Sequence, residues 1–238
     1  MGKKMITNAT KSGGEINLIT GVVTFMRDGE YQGKKVVNIG ITLETYNPDT
    51  RENDKSYLNI SAWNNDDVKK QFADRVTNAK VAVGSFLSFL TGPIQDDDKS
   101  NAVATDGVPR YKANLLDFQY NRRWVFGEGS EERNIVIGTV RRVTDKEDSF
   151  SVSIPVNNAI KKADNTYETA WYNVAFKNTE KATMADRARN VLAVETPCAI
   201  LCGKLYTNEE NGKDVYYLNG FDIVLGPKKI QAQEQPQE

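Results

Sequence analysis

The 238-residue chain has no histidine and only two cysteines. Without an imidazole there is no histidine-based triad, no side chain titrating near neutrality by default and no histidine metal centre. Cys198 and Cys202 stand four residues apart in Cys-Ala-Ile-Leu-Cys. On a strand that spacing separates them by roughly 13 Å, too far for a disulfide. Zinc takes about four ligands, which two thiols do not supply, so both cysteines are expected in a strand core. No apolar run approaches the ~20 residues of a membrane helix. The start, Met1-Gly2-Lys3-Lys4-Met5-Ile6, is not followed by an apolar stretch of signal-peptide length. A cytoplasmic protein with no membrane partner is expected. No Gly-x-x-x-x-Gly-Lys-Ser/Thr phosphate loop occurs. Charge of one sign is also lacking: 31 basic residues face 32 acidic ones, for a net charge of −1. Any positive field must therefore be local.

What is present is repetition. Asn17-Leu-Ile-Thr-Gly-Val-Val23 returns as Asn134-Ile-Val-Ile-Gly-Thr-Val140, and Tyr57-Leu-Asn-Ile60 as Trp171-Tyr-Asn-Val174. Leu90-Thr-Gly-Pro-Ile94 returns as Leu201-Cys-Gly-Lys-Leu205, and Asn114-Leu-Leu-Asp-Phe118 as Asn219-Gly-Phe-Asp-Ile223. Four blocks in one order mark a duplicated domain. The distance between matched blocks falls from 117 to 105 residues, so the first copy carries 12 extra residues in its loops. Two similar modules in one chain imply two similar surfaces and bivalent binding. No carboxylate pair recurs in both copies, so no catalytic residue, no cofactor and no enzymatic activity are expected.

The expected organisation is a flexible N-terminus over 1–14, one domain over 15–121, a linker over 122–131, a second domain over 132–229 and a flexible tail over 230–238. Alternation of apolar and polar residues over 35–43 and 58–61, and again at Phe150, Val152, Ile154 and Val156, predicts half-buried strands. Asn211-Gly212 predicts a hairpin turn. Helical spacing is expected once per copy, over 66–76 (Val68, Phe72, Val76) and about 180–190, each containing Ala-Asp-Arg. Five strands with a helix between the third and fourth is the order of an OB-fold barrel. The fold class is therefore all-β with one short helix per repeat, as two tandem five-stranded OB barrels.

Each repeat resembles the bacterial-type single-stranded-DNA-binding protein family. The resemblance rests on the opening strand at Asn17 and Asn134, on the aromatic that begins the third strand (Tyr57, Trp171), on Trp63 six residues further, on Glu44-Thr45-Tyr46 and on the final hairpin Asn211-to-Tyr217. It covers most of residues 15–228. Copy two has Lys177 where copy one has Trp63. Cellular family members end in an acidic tail with an apolar tip that recruits partners, and Gln231–Glu238 has no such tip. With two domains in one chain, this suggests a phage, plasmid or other mobile-element member, acting in a bacterial or phage-infected cell.

The resemblance implies sequence-independent binding of single-stranded DNA, protecting and organising it in replication or recombination, with replication proteins as further partners and a homodimer presenting four OB domains. Rings stack on bases and cations neutralise phosphates. Tyr57 and Trp63, an even number apart, can share one strand face, leaving Leu58, Ile60 and Ala62 for the core. By the same register Trp171, Asn173 and Lys177 face outward. The stacking candidates are Tyr46, Tyr57, Trp63, Trp171 and Tyr206. The phosphate-contacting candidates are Arg110, Arg122, Arg123, Arg141, Arg142, Lys162 and Lys177. Copy one is expected to stack more and copy two to rely more on charge. Tyr111 and Tyr216 are expected in barrel packing, and Trp124 between the domains. Asp96-Asp97-Asp98 would repel phosphate and is expected to point away from the strand. Two other functions suit an OB barrel: a protein-interaction adaptor, favoured by the near-neutral charge, and single-stranded RNA binding.

Overall fold

The computed structural model describes residues 2–9, 14–67, 70–180, 182–210 and 213–227. Val68, the Asn211-Gly212 turn and the tail over 230–238 lie outside the described residues. Period-two burial builds the first half: β1 (Lys3–Ala9), β2 (Glu15–Tyr31), β3 (Lys34–Asn47), β4 (Glu52–Trp63), α1 (Phe72–Asn78), β5 (Phe86–Thr91), the two-residue β6 (Gln95–Asp96), α2 (Asp98–Ala102) and β7 (Arg110–Gln119). The second half runs β8 (Arg122–Phe126), β9 (Arg133–Thr139), β10 (Arg142–Lys146), β11 (Ser149–Lys161), β12 (Tyr167–Thr179), β13 (Ala182–Thr183), α3 (Met184–Val191), β14 (Pro197–Cys202), β15 (Tyr206–Glu210) and β16 (Lys213–Leu225).

In the first half, β2, β3, β4, β7 and β5 pair in that order, and β5 pairs back with β2. The β4–β7 pairing is parallel and the other four are antiparallel. A closed ring of five strands with a helix between the third and fourth is an OB barrel. The second half repeats it through β10-β11-β12-β16-β14-β9, with its first strand broken between β9 and β10. Each barrel has its own core, around Ile19, Ile60 and Phe89 in one and Val136, Ile154 and Phe176 in the other. Tyr111 and Tyr216 pack against these cores. Cys198 and Cys202 are fully buried. Burial pushes the Cys198 thiol up to about 12 and raises that of Cys202 as well.

Two expectations are corrected. Lys3–Ala9 is not a flexible lead but a strand on β2, and Arg122–Phe126 is not a linker but a strand on β9. The two are counterparts. Lys3 faces Thr20 and Arg122 faces Ile137, the same position of the first strand in each copy. The duplicated unit thus begins one strand earlier than the sequence blocks indicate.

These added strands join the barrels. Met5, Leu18, Trp124, Ile135, Ile137, Ala199 and Val224 form a third apolar cluster between the copies. This explains why β2 is buried on both faces: Ile19 points into its barrel and Leu18 into the shared cluster. Trp124 donates its indole N–H to Ser88 Oγ at 2.7 Å across the junction. The ion pairs are exchanged: Arg122 of the second copy pairs with Asp117 of the first, and Lys3 of the first with Asp222 of the second. Arg75 and Arg187, the arginines of the Ala-Asp-Arg blocks, approach the same two aspartates from within their own copies. Reciprocal contacts of this kind are the mark of a two-fold interface, here built inside one chain.

The repeated glycine has a steric cause. A Cβ on Gly21 would lie 2.6 Å from Gly2 Cα, and one on Gly138 would lie 2.9 Å from Asn121 Nδ2. Gly2 donates its N–H to Thr42 O and accepts from Glu44 N. At the matched place, Asn121 uses its side-chain amide for both bonds, donating to Pro155 O and accepting from Asn157 N. A carboxamide in one copy thus replaces a peptide group in the other.

Candidate nucleic-acid interface

Strand pairing arranges the outer face of each barrel into rows. In the first barrel one row reads Phe25, Gly40, Asn59, Lys112, and its neighbour reads Thr42, Tyr57, Arg110. In the second barrel the matching rows are Arg142, Ser153, Asn173, Tyr217, with Tyr206 beyond, and the pair Pro155, Trp171. Tyr57 and Trp171 occupy one position in the two copies. They are 39% and 40% exposed, whereas Leu58 beside the one and Ala170 and Tyr172 beside the other are buried. Each lies beside a guanidinium: Arg110 sits 5.3 Å from the Tyr57 ring centre, and Arg142 sits 5.1 Å from that of Trp171. The two arginines come from different strands, β7 and β10.

The two arginines are not equivalent in charge. Arg110 is clamped by both carboxylate oxygens of Asp106, at 2.9 and 3.0 Å. That bond holds the Asp106 carboxyl below the usual carboxylate range. Arg142 has no acidic partner among the described residues. It lines an open cleft of about 670 Å³ with Lys146, Ser151, Trp171, Asn173 and Lys177. The far rim of that cleft carries Glu210, which accepts from Tyr217 Oη at 2.5 Å and raises that phenol's pKa. The first barrel has a smaller cleft of about 330 Å³, lined by Phe25, Tyr57, Asn59, Asp97, Ser100 and Arg110 among others.

The remaining candidates divide. Trp63 shares the outward face with Tyr57, half-buried and edge-on to Tyr31 with ring centres 6.4 Å apart. Tyr206 is exposed in the same row as Tyr217. Lys177 is exposed and joins the Trp171 cleft. Tyr46 is exposed, but it lies beyond the barrel on the β3–β4 arm, in the groove between copies with Lys3 and Arg187. Arg141 pairs with Glu195, and Lys162 pairs with Glu168 at 2.5 Å. Arg122 is spent on Asp117 and stacks 4.5 Å over Trp124. Arg123 is half-buried and donates to Tyr172 Oη and Asn134 Oδ1. Arg122 and Arg123, expected to contact phosphate, lie on β8 at the junction between the copies.

Several residues were missed. Phe25 is exposed because a β-bulge between Val23 and Phe25 shifts the register, whereas strict alternation from Val23 turns it inward. Tyr217 follows Tyr216, and the outward register selects it as the surface ring. The aspartate run does not point away as a block: Asp97 is half-buried at the first cleft, while Asp96 and Asp98 are exposed. Among the described residues no group of three or more His, Cys, Asp or Glu side chains could hold a metal. No described helix is long and apolar enough to cross a membrane.

Among solved structures, the chain is similar to the small single-stranded DNA-binding protein of Streptomyces coelicolor, at 17% identity and TM-score 0.29, covering 39% of this chain and 92% of that one. It is also similar to the wild-type single-stranded DNA binding protein of Thermus aquaticus, at 10% identity and TM-score 0.30, covering 93% of this chain and 96% of that one. A deletion mutant of the Thermus aquaticus protein gives 9% identity and TM-score 0.29 over 93% and 98% of the two chains. No protein-family model and no curated protein matches the sequence.

Proposed function

We propose that the chain binds single-stranded DNA along the outer faces of both barrels, in a manner largely independent of sequence. The observation that carries this is the matched pair of exposed rings at one barrel position, Tyr57 and Trp171, each beside an arginine. A ring on the third strand of an OB barrel faces its oligonucleotide-binding side. Base–ring stacking contributes about 1–3 kcal/mol per base and tolerates any base. Around Trp171, the unpaired Arg142 and the exposed Lys177 and Lys146 supply charge for phosphates. In the first barrel, where Arg110 is neutralised by Asp106, rings prevail: Phe25 in the Tyr57 cleft, and Tyr31 with Trp63 further along the strands. The first barrel therefore stacks more and the second relies more on charge. At about 4–16 nucleotides per OB fold, two barrels cover at least twice one site.

The biological role that fits is protection and ordering of single strands in replication or recombination within the cell, by a non-enzymatic protein. A homodimer would present four barrels, and its interface would have to use a surface other than the one already closed between the two copies. Mixing with matched DNA and RNA oligomers tests the sugar preference. Binding that is absent for single strands and present for a replication protein would instead establish the adaptor function.

A further inference from the structure

We propose that the cleft of the first barrel reads one base of the bound strand, preferring a base with an exocyclic amine on its major-groove edge (cytosine or adenine) over thymine. The proposal rests on the single-stranded-DNA function and adds a specificity to one position of it.

Three features converge on this cleft. The first is size and walls. Its volume of about 330 Å³ is half that of the open cleft in the second barrel, and the exposed rings of Phe25 and Tyr57 line it. The second is an orphaned acceptor. Asn59 and Asn173 hold the same position in the two copies. Asn173 Oδ1 accepts from Ser153 Oγ at 2.6 Å. The residue matching Ser153 in the first copy is Gly40, which has no hydroxyl, and Asn59 Oδ1 is buried with no hydrogen-bond partner. The orientation of that amide is set by its neighbour. Asn38 Oδ1 accepts from Ser61 Oγ at 2.9 Å and from Asn59 Nδ2 at 3.4 Å, so the Asn59 nitrogen turns to Asn38 and the oxygen turns elsewhere. A buried acceptor left without a donor is costly, and native structures rarely keep one.

The third feature is Asp97. Of the three consecutive aspartates it alone is half-buried, and it lines the cleft with Ser100. Its side chain accepts from Ser100 Oγ at 2.7 Å and from Ser100 N at 3.4 Å, which fixes its position. An ionised carboxylate only accepts hydrogen bonds. The segment that delivers it lies in the longer loop of the first copy, between β5 and β7.

The cleft thus offers stacking faces and two acceptors, Asp97 and Asn59. An exocyclic amine would give Asn59 Oδ1 the donor it lacks and Asp97 a further one beside Ser100. Thymine presents a carbonyl oxygen at the position where cytosine presents an amine, and that oxygen would face a carboxylate.

The test measures binding of the full chain to oligo(dT) and to the same oligomer carrying one dC, at equal length and salt. One added hydrogen bond to a charged group predicts roughly 10- to 150-fold tighter binding of the dC oligomer. Asp97→Asn keeps the helix cap, since Asn caps about as well as Asp, and its amide nitrogen can donate to a thymine oxygen. In that variant the preference should vanish or reverse while thermal stability stays unchanged. Equal affinity of the wild type for both oligomers overturns the proposal and leaves the single-stranded-DNA function intact. A preference that survives unchanged in Asp97→Asn overturns the role of Asp97 and with it the proposal. Failure of both oligomers to bind overturns this proposal and the function beneath it together.

Discussion

Removing Arg142 should change the salt dependence of DNA binding, and removing Arg110 should not. Both guanidiniums lie about one ring-width from a matched aromatic, at 5.1 and 5.3 Å. They differ in what neutralises them. Arg110 already holds a carboxylate at 2.9 and 3.0 Å, so it has no counterion to release when a strand arrives. Arg142 forms no ion pair with a described carboxylate, although Glu210 and Asp214 line the same cleft. On a single strand each phosphate neutralised contributes about 0.7 to the slope of log affinity against log salt. Arg142→Ala should flatten that slope by about 0.7, so that a fourfold rise in salt costs about 2.6-fold less affinity than in the wild type. Arg110→Ala should leave the slope within about 0.2 of the wild type. Titrating tryptophan fluorescence with oligo(dT) at four or five salt concentrations measures both. Equal flattening by the two variants would refute the reasoning, because it would mean that Asp106 does not screen Arg110 from the strand.

Tyr57→Ala and Trp171→Ala should each weaken oligo(dT) binding by about 1–3 kcal/mol, whereas Trp63→Ala, at a ring already half-covered by Tyr31, should cost less; gel shift of the three variants ranks them. Trp124→Phe should leave DNA affinity unchanged but lower stability to urea by about 1–3 kcal/mol, because Ser88 loses a buried donor. Glu132 accepts from Asn134 Nδ2 and from Leu205 N, bonds that hold its carboxyl below its ordinary value of 4.5. A carboxyl lowered in the folded state adds stability above that value, and the contribution is lost as the pH falls through the lowered one. Glu132→Gln should therefore reduce the loss of Tm on acidification below pH 4.5, and an unchanged acid profile would contradict this.

The parts of the fold that could be read from the sequence are those where both copies solve one local problem in the same way. The repeated asparagine is such a case: Asn17 and Asn134 are buried and donate to Gly92 O and Gly203 O, which lie in another of the repeated blocks. Alternation along β3, β4, β11 and β12 gave the face of Tyr57 and Trp171 directly. What escaped detection depends on distant partners. Lys3–Ala9 and Arg122–Phe126 are short and rich in polar or charged residues, and they become strands because each lies on a neighbour and against the other copy. Arg123 reads as a surface cation until Tyr172 and Asn134, remote in sequence, are seen to hold it. The outward faces also diverge: Phe25 and Arg142 share a position but not a chemistry, so no repeat signal marks either.

The most direct test of the central claim is quenching of tryptophan fluorescence by oligo(dT) of increasing length, at low and high salt, with duplex DNA as control. Trp171 and Trp63 lie on the proposed faces, and Trp124 is buried between the copies. The account predicts strong quenching by single strands, weakened by salt and little produced by duplex, reaching saturation only at lengths that span both barrels. No quenching at low salt, together with no gel shift, would contradict it.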